Sequence, residues 1–218
     1  MIDRTLKPQI KAVKQADLPS AGHSSTDSGV DVYFYDLADQ ELVKVEVLFS
    51  TGTAHQKQNL VADFTARMMA LGTTSKSASE IAEEIDFQGS FLEHNTGKDF
   101  TSYTLYSLAR NLEPSLKIFT DILQNPVFDE KELEILKRTA LQKFNVGSEQ
   151  VSVLCRRGFA KNLYDSEHSY YVNVGPEDFE LQRESLVNYY NSNIRSRKAS
   201  IMVSGYVKDR ELGLVKEH

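Results

Sequence analysis

The sequence predicts an α+β fold, an antiparallel sheet with helices packed mainly on one of its faces. Three observations point there. VDVYFYD (30–36) and ELVKVEVLFSTG (41–52) alternate apolar and polar residues and are rich in Val, Tyr and Phe, as half-buried strands are. Residues 56–71 switch to helical spacing, with Leu60, Phe64, Met68 and Leu71 on one face. Further along, runs of strands are separated by groups of helices, the order of an α+β layer fold.

Taken in order, residues 1–28 mix Pro8, Pro19, Gly22 and HSSTDSG, which reads as an extended arm followed by a loop. Residues 29–218 form the single folded domain. Its first two strands, joined by the turn-like DLADQ, are expected to pair antiparallel. After the helix over 56–71, Ser77 three residues before Glu80 forms a capping-box start, and Gly89 supplies a stop. SFLEHNT and DFTSYTLYSLA read as two strands about a turn at Gly97. Residues 111–123 are helical until Asn125-Pro126, because the residue before proline avoids the helical region. Asp129 caps a long helix to about Gly147, another runs over 149–164, and one more over 176–191. ASIMVSGYV closes as a short buried strand. The expected order is ββαα-ββα-ααα-β. The tail KDRELGLVKEH reads as the opening of a further helix, so the chain is expected to be the first half of a longer, two-domain protein.

Composition narrows the function classes. With 218 residues, 40% hydrophobic and 26% charged, the chain can bury a substantial core. A net charge of −6 and a pI near 5.4, without a Lys/Arg run, argue against nucleic acid as a partner. No window holds the eighteen or so apolar residues of a membrane span. The opening MIDRTLKPQIKAV lacks an apolar signal core, which makes the expected location cytoplasmic, with a periplasmic native form as the alternative. Cys155, the single cysteine, reads as a half-buried side chain.

The strand pair closing at STGTAHQ, the helix ending in LGT, the segment GSFLEHNTGKDFTSYTLYSL, NPVFDEKELEILKR and the closing SIMVSGYVKD together resemble the insulinase or pitrilysin (M16) family of zinc metallopeptidases. The resemblance covers nearly the whole chain and implies one M16 peptidase-like domain. Active members carry H-x-x-E-H on the first long helix, two His binding zinc and the Glu acting on metal-bound water, with a distal Glu as third ligand. Counted from Gly72-Thr73, these motif positions fall on Asp63, Ala66 and Arg67 within LVADFTARMMALGT. Counted from Phe128, the distal position falls on Lys143, 76 residues beyond Arg67.

All four positions are changed, and the chemistry of the changes is consistent. Arginine offers no lone pair, and an ordinary lysine is protonated. One carboxylate with two cations repels a divalent metal, so no zinc or other cofactor is expected. Asp63 and Arg67 stand i to i+4 with the acid first, the orientation that favours an ion pair, expected here to replace the metal cross-link. His23, His55, His94, His168 and His218 are scattered, without ligand spacing. The family also implies a strand that pairs with the substrate backbone. The matching segment is 91–96, where Glu93 and His94 occupy the substrate-holding pair; equally, these are exposed residues blunting a sheet edge.

The implied role is a non-catalytic partner subunit that completes a chamber and helps to hold a peptide, beside a zinc-bearing M16 subunit or a second copy. The competing reading is an active peptidase using other residues, for which Ser102, His94 and Asp99 lie close together in sequence.

Overall fold

The computed structural model of the chain describes residues 20–37, 40–171 and 173–218. Among the described residues six strands are formed: β1 (Gly22–Ser25), β2 (Asp31–Asp36), β3 (Leu42–Phe49), β4 (Phe91–Thr96), β5 (Thr101–Leu108) and β6 (Ala199–Gly205). The helices are α1 (Val61–Met69), α2 (Ala78–Phe87), α3 (Leu112–Gln124), α4 (Glu130–Ser148), α5 (Val151–Leu163), α6 (Arg183–Tyr189) and α7 (Asp209–Glu217). The strands make one sheet in the order β1-β2-β6-β3-β5-β4. Every pairing is antiparallel except β2 with β6.

Alternation along β3 sets the two faces. Val43, Val45, Val47 and Phe49 are buried, opposite Leu105 and Tyr103 on β5 and Val203 on β6. They meet a helix layer led by Phe64, Met68, Met69, Leu112, Ile122 and Leu186, each at most 1% exposed. Burying a side chain of this size contributes about 1.5–3 kcal/mol. The other face carries Lys44, Glu46, Thr104 and Tyr106, with Lys44 paired to Glu46 at 2.8 Å. The α+β layering anticipated from sequence is therefore present, and the helices lie on one face of the central strands.

Several local expectations hold for physical reasons visible in the structure. The Ser77 hydroxyl accepts from Glu80 N, and the Glu80 carboxylate accepts from Ser77 N, closing the capping box that starts α2. Gly89 follows α2 at φ +61. Asp129 Oδ1 accepts from the backbone N–H groups of Lys131 and Glu132 at the start of α4. The tail folds as α7.

Other expectations are corrected. The expected antiparallel pair of β2 and β3 does not form, because β6 inserts between them, parallel to β2 and antiparallel to β3. Gly205 makes this possible. At φ +103 its Cα faces the Leu42 carbonyl so closely that an added Cβ would lie 2.2 Å from that oxygen. Its own carbonyl accepts from Leu37 N, and Tyr206 N donates to Leu42 O.

β1 lies inside the stretch expected to be arm and loop. GHSS gives no β-branched or aromatic signal, and it joins the edge through backbone pairing with β2 and a His23–Asp31 contact at 2.9 Å. Residues 1–19 of the expected arm lie outside the described residues. The single helix expected over 176–191 is instead a 3-10 turn (Pro176–Phe179), α6, and a π-helical continuation over Tyr190–Arg195. Helix α1 begins at Val61 rather than at residue 56, after Leu60 in a left-handed conformation (φ 67).

Candidate functional site

Helix α1 lies beside β4, the outermost strand on its side of the sheet. Its inner face is buried through Phe64, Thr65, Met68 and Met69, and the Tyr103 hydroxyl on β5 donates to Ala66 O at 3.0 Å. That buried phenol ties the helix to the sheet, and burial pushes its pKa well above 10.0. The alternation of Thr101, Tyr103 and Leu105 against Ser102, Thr104 and Tyr106 already sets Tyr103 on one face of its strand, although it is not among the residues expected at the site.

On the outer side of the same helix, Arg67 Nε donates to Asp63 Oδ2 at 2.8 Å. The expected ion pair is present, with side chains 30% (Asp63) and 39% (Arg67) exposed. It closes within α1, however, and so does not reproduce a cross-link between helices. Ala66, between them, is fully buried and presents only a methyl group.

Lys143 sits on α4 and is exposed, with no ion pair among the described residues. Its neighbour Phe144 stacks edge-on with Phe179 at 5.2 Å, and Phe179 meets Phe64 of α1 at 6.2 Å. Three rings therefore relay the packing between α4 and α1.

His94 on β4 is registered with Tyr103, its ring 6.3 Å from the phenol, on the helix-facing side. The imidazole reaches solvent at the sheet edge, yet enough protein surrounds it that lost hydration holds its pKa below 6.5. The Arg67 guanidinium adds to that depression, and the Asp63 carboxylate opposes it. Asp63, Arg67 and His94 thus form one electrostatic group. Glu93 is registered with Thr104 and lies on the opposite face, in a polar recess with Lys44, Glu46 and Tyr106.

The competing set is not assembled. Ser102 is registered with Asn95, on the face away from His94, and the Asp99 carboxylate accepts from the Tyr170 hydroxyl instead. Lys98 Nζ donates to Tyr170 O at 3.0 Å, and Asn59 Nδ2 donates to Asn173 O at 3.1 Å and to the Asp178 carboxylate. These bonds strap the segment after α5 over the β4–β5 turn and the start of α1. Sequence reasoning had no means to pair residues more than seventy positions apart.

The donor set does not fit a catalytic zinc, which needs about three N, O or S donors and an open position. Asp63 is engaged by a guanidinium, Ala66 and Arg67 donate nothing to a metal, and His94 is a lone imidazole. Among the described residues no cluster of three His, Cys, Asp or Glu side chains could hold a metal ion. Also among the described residues, no helix is long and apolar enough to cross a membrane.

Comparison with known proteins agrees with this architecture. The chain is 24% identical over 186 residues to an uncharacterized zinc protease of Bacillus subtilis, covering 84% of this chain and 46% of that protein. It is 23% identical over 167 residues to the human mitochondrial-processing peptidase subunit beta, covering 75% and 34% respectively. It therefore spans less than half the length of these relatives. A crystal structure described as a peptidase M16 inactive domain from Pseudomonas fluorescens superimposes with a TM-score of 0.83 at 20% identity, over 91% of this chain and 50% of that one, which shows a shared fold. Because the family described as Insulinase (Peptidase family M16) matches residues 35–177, the chain belongs to the M16 insulinase family.

Proposed function

We propose that this chain is a non-catalytic M16 domain that completes the peptide-holding chamber of a zinc-bearing M16 subunit or of a second copy. The observation that supports the reading is the Asp63–Arg67 ion pair around a buried Ala66, on the turn of α1 where the family resemblance sets the metal donors. A helix face bearing a carboxylate neutralised by a guanidinium can meet polar peptide groups but cannot activate water as a zinc centre does. The exposed β4 edge beside it offers unpaired backbone groups to an extended peptide. His94 on one face of that edge and Glu93 on the other would border such a peptide.

Elemental analysis of protein purified without chelator or histidine tag, with a peptidase assay on the same sample, tests this reading. Near-zero zinc without cleavage is the expected result. Stoichiometric zinc, or cleavage that a chelator abolishes, overturns it and places the donors elsewhere.

A further inference from the structure

A cavity of about 700 Å³ opens on the helix-facing side of the sheet. Among the described residues its floor is Val45, Val47 and Phe49 of β3 with Ala199 and Ile201 of β6. Leu116, Phe119 and Leu123 of α3 form one wall and Val215 of α7 another, and the π-helical stretch Tyr190–Arg195 supplies the third. Packed interiors hold few voids larger than a water molecule, because lining atoms that face empty space lose their dispersion contacts. An apolar lining gives water few partners. Size and lining together match a small-molecule pocket, apolar with a few placed polar groups.

Those polar groups gather at the mouth. Backbone bonds in a π-helix run from i to i+5, so Arg195 returns to the side of Tyr190, and both residues border the cavity. The Tyr190 hydroxyl is anchored on Leu123 O at 2.9 Å, at the end of α3. Burial raises the pKa of this phenol, and the nearby Arg195 guanidinium opposes the rise. Arg197 Nη1 donates to Ser50 O at 2.9 Å, which holds a second guanidinium beside the end of β3. Arg195 and Arg197 are exposed and Lys216 is half-buried. Asp27 and Glu217 stand on the same rim, and none of these five side chains forms an ion pair among the described residues. Cations therefore outnumber carboxylates at the mouth, within a chain of net charge −6.

We propose that this cavity binds a single-chain anionic amphiphile, a long-chain carboxylate. Its apolar tail lies along Val47, Ile201 and Phe119, and its carboxylate accepts from Arg195, a guanidinium being the side chain suited to such a group. A cationic headgroup on the same tail would meet Arg195, Arg197 and Lys216. The site stands apart from the one on α1 and β4, since β3 and β5 separate β6 from β4. Bound zinc would overturn the non-catalytic reading and leave this one untouched.

Isothermal titration calorimetry below micelle-forming concentrations tests it, with dodecanoate, octanoate and dodecyltrimethylammonium on the wild type, Ile201→Trp and Arg195→Glu. The wild type is expected to bind one dodecanoate per chain. Octanoate should bind more weakly by about tenfold or more, because fewer methylene groups leave water. Dodecyltrimethylammonium should also bind about tenfold or more weakly, and Arg195→Glu should reverse that preference between headgroups. Ile201→Trp fills the floor and should abolish binding of both carboxylates. Unchanged far-UV circular dichroism confirms folding, and Arg195→Glu, at an exposed position, decides alone if Ile201→Trp does not fold. A wild type without saturable dodecanoate binding overturns the proposal. So does binding that a folded Ile201→Trp leaves intact, which would put the tail elsewhere. A headgroup preference that Arg195→Glu does not move overturns it as well.

Discussion

Arg67 and Asp63 are bonded to each other at 2.8 Å across one turn of α1, and that turn is where the family resemblance places a metal-binding pair. The pair differs from a metal site structurally as well as chemically. A metal held by α1 and a distal helix joins two elements, whereas this pair joins α1 only to itself. Since both side chains keep about a third of their surface in water, Arg67→Ala should cost no more than about 0.5–1 kcal/mol. Urea unfolding midpoints of the two proteins measure this. A loss of several kcal/mol would mean that the pair supports more than its own helix.

Restoring the donors tests the positions themselves. Asp63→His, Ala66→Glu, Arg67→His and Lys143→Glu together should produce a protein that retains zinc stoichiometrically after dialysis. The triple variant that keeps Lys143 should hold zinc markedly less well. Ala66→Glu alone should destabilise by about 1–3 kcal/mol, because it places a carboxylate where no side chain polar group is now buried. A folded quadruple variant that takes up no zinc would show that the four positions do not converge.

His94 gives the site a pH dependence with a definite sign. Its folded pKa lies below 6.5, chiefly through lost hydration and then through the Arg67 guanidinium, with Asp63 opposing. The unfolded chain therefore binds the proton more readily. The stability associated with the neutral ring is present above pH 6.5 and is lost as pH falls through the folded pKa. His94→Gln should flatten the slope of unfolding free energy as pH falls below about 6.5. An unchanged slope would mean that protonated His94 is accommodated beside Arg67, Asp63 and Tyr103 without cost.

What the sequence made legible were relationships spanning only a few residues. The capping box of Ser77 and Glu80, the alternation of β3 and β5, and the spacing of Asp63 and Arg67 each depend on one helix turn or one pleat. The placement of β6 between β2 and β3 depends on pairing residues 31–36 with 200–205, and no local pattern encodes it. The same holds for the Tyr170–Asp99 strap. β1 escaped notice because GHSS pairs through its backbone alone. At the site, residue types and spacing were enough to expect the Asp63–Arg67 pair. The separation of His94 and Ser102 onto opposite faces required the β4–β5 register.

The insertion of β6 can be tested at a single atom. Gly205 stands at φ +103, and a Cβ there would lie 2.2 Å from the Leu42 carbonyl oxygen, which belongs to strand backbone and cannot swing aside. Gly205→Ala thus combines an unfavourable backbone region with a backbone clash, at the point where β6 bonds to both Leu37 and Leu42 through residues 205 and 206. A loss of about 3 kcal/mol or more is expected, seen as a large drop in the urea midpoint or as failure to accumulate folded protein. Gly213 supplies the control. It lies inside α7 with open space where a Cβ would stand, so Gly213→Ala should stabilise by up to about 1 kcal/mol through helix propensity. Opposite signs for the same chemical change would locate the demand for glycine in the meeting of three strands. Equal and small effects would mean that β6 does not end against Leu42, and the strand order β2-β6-β3 would have to be redrawn.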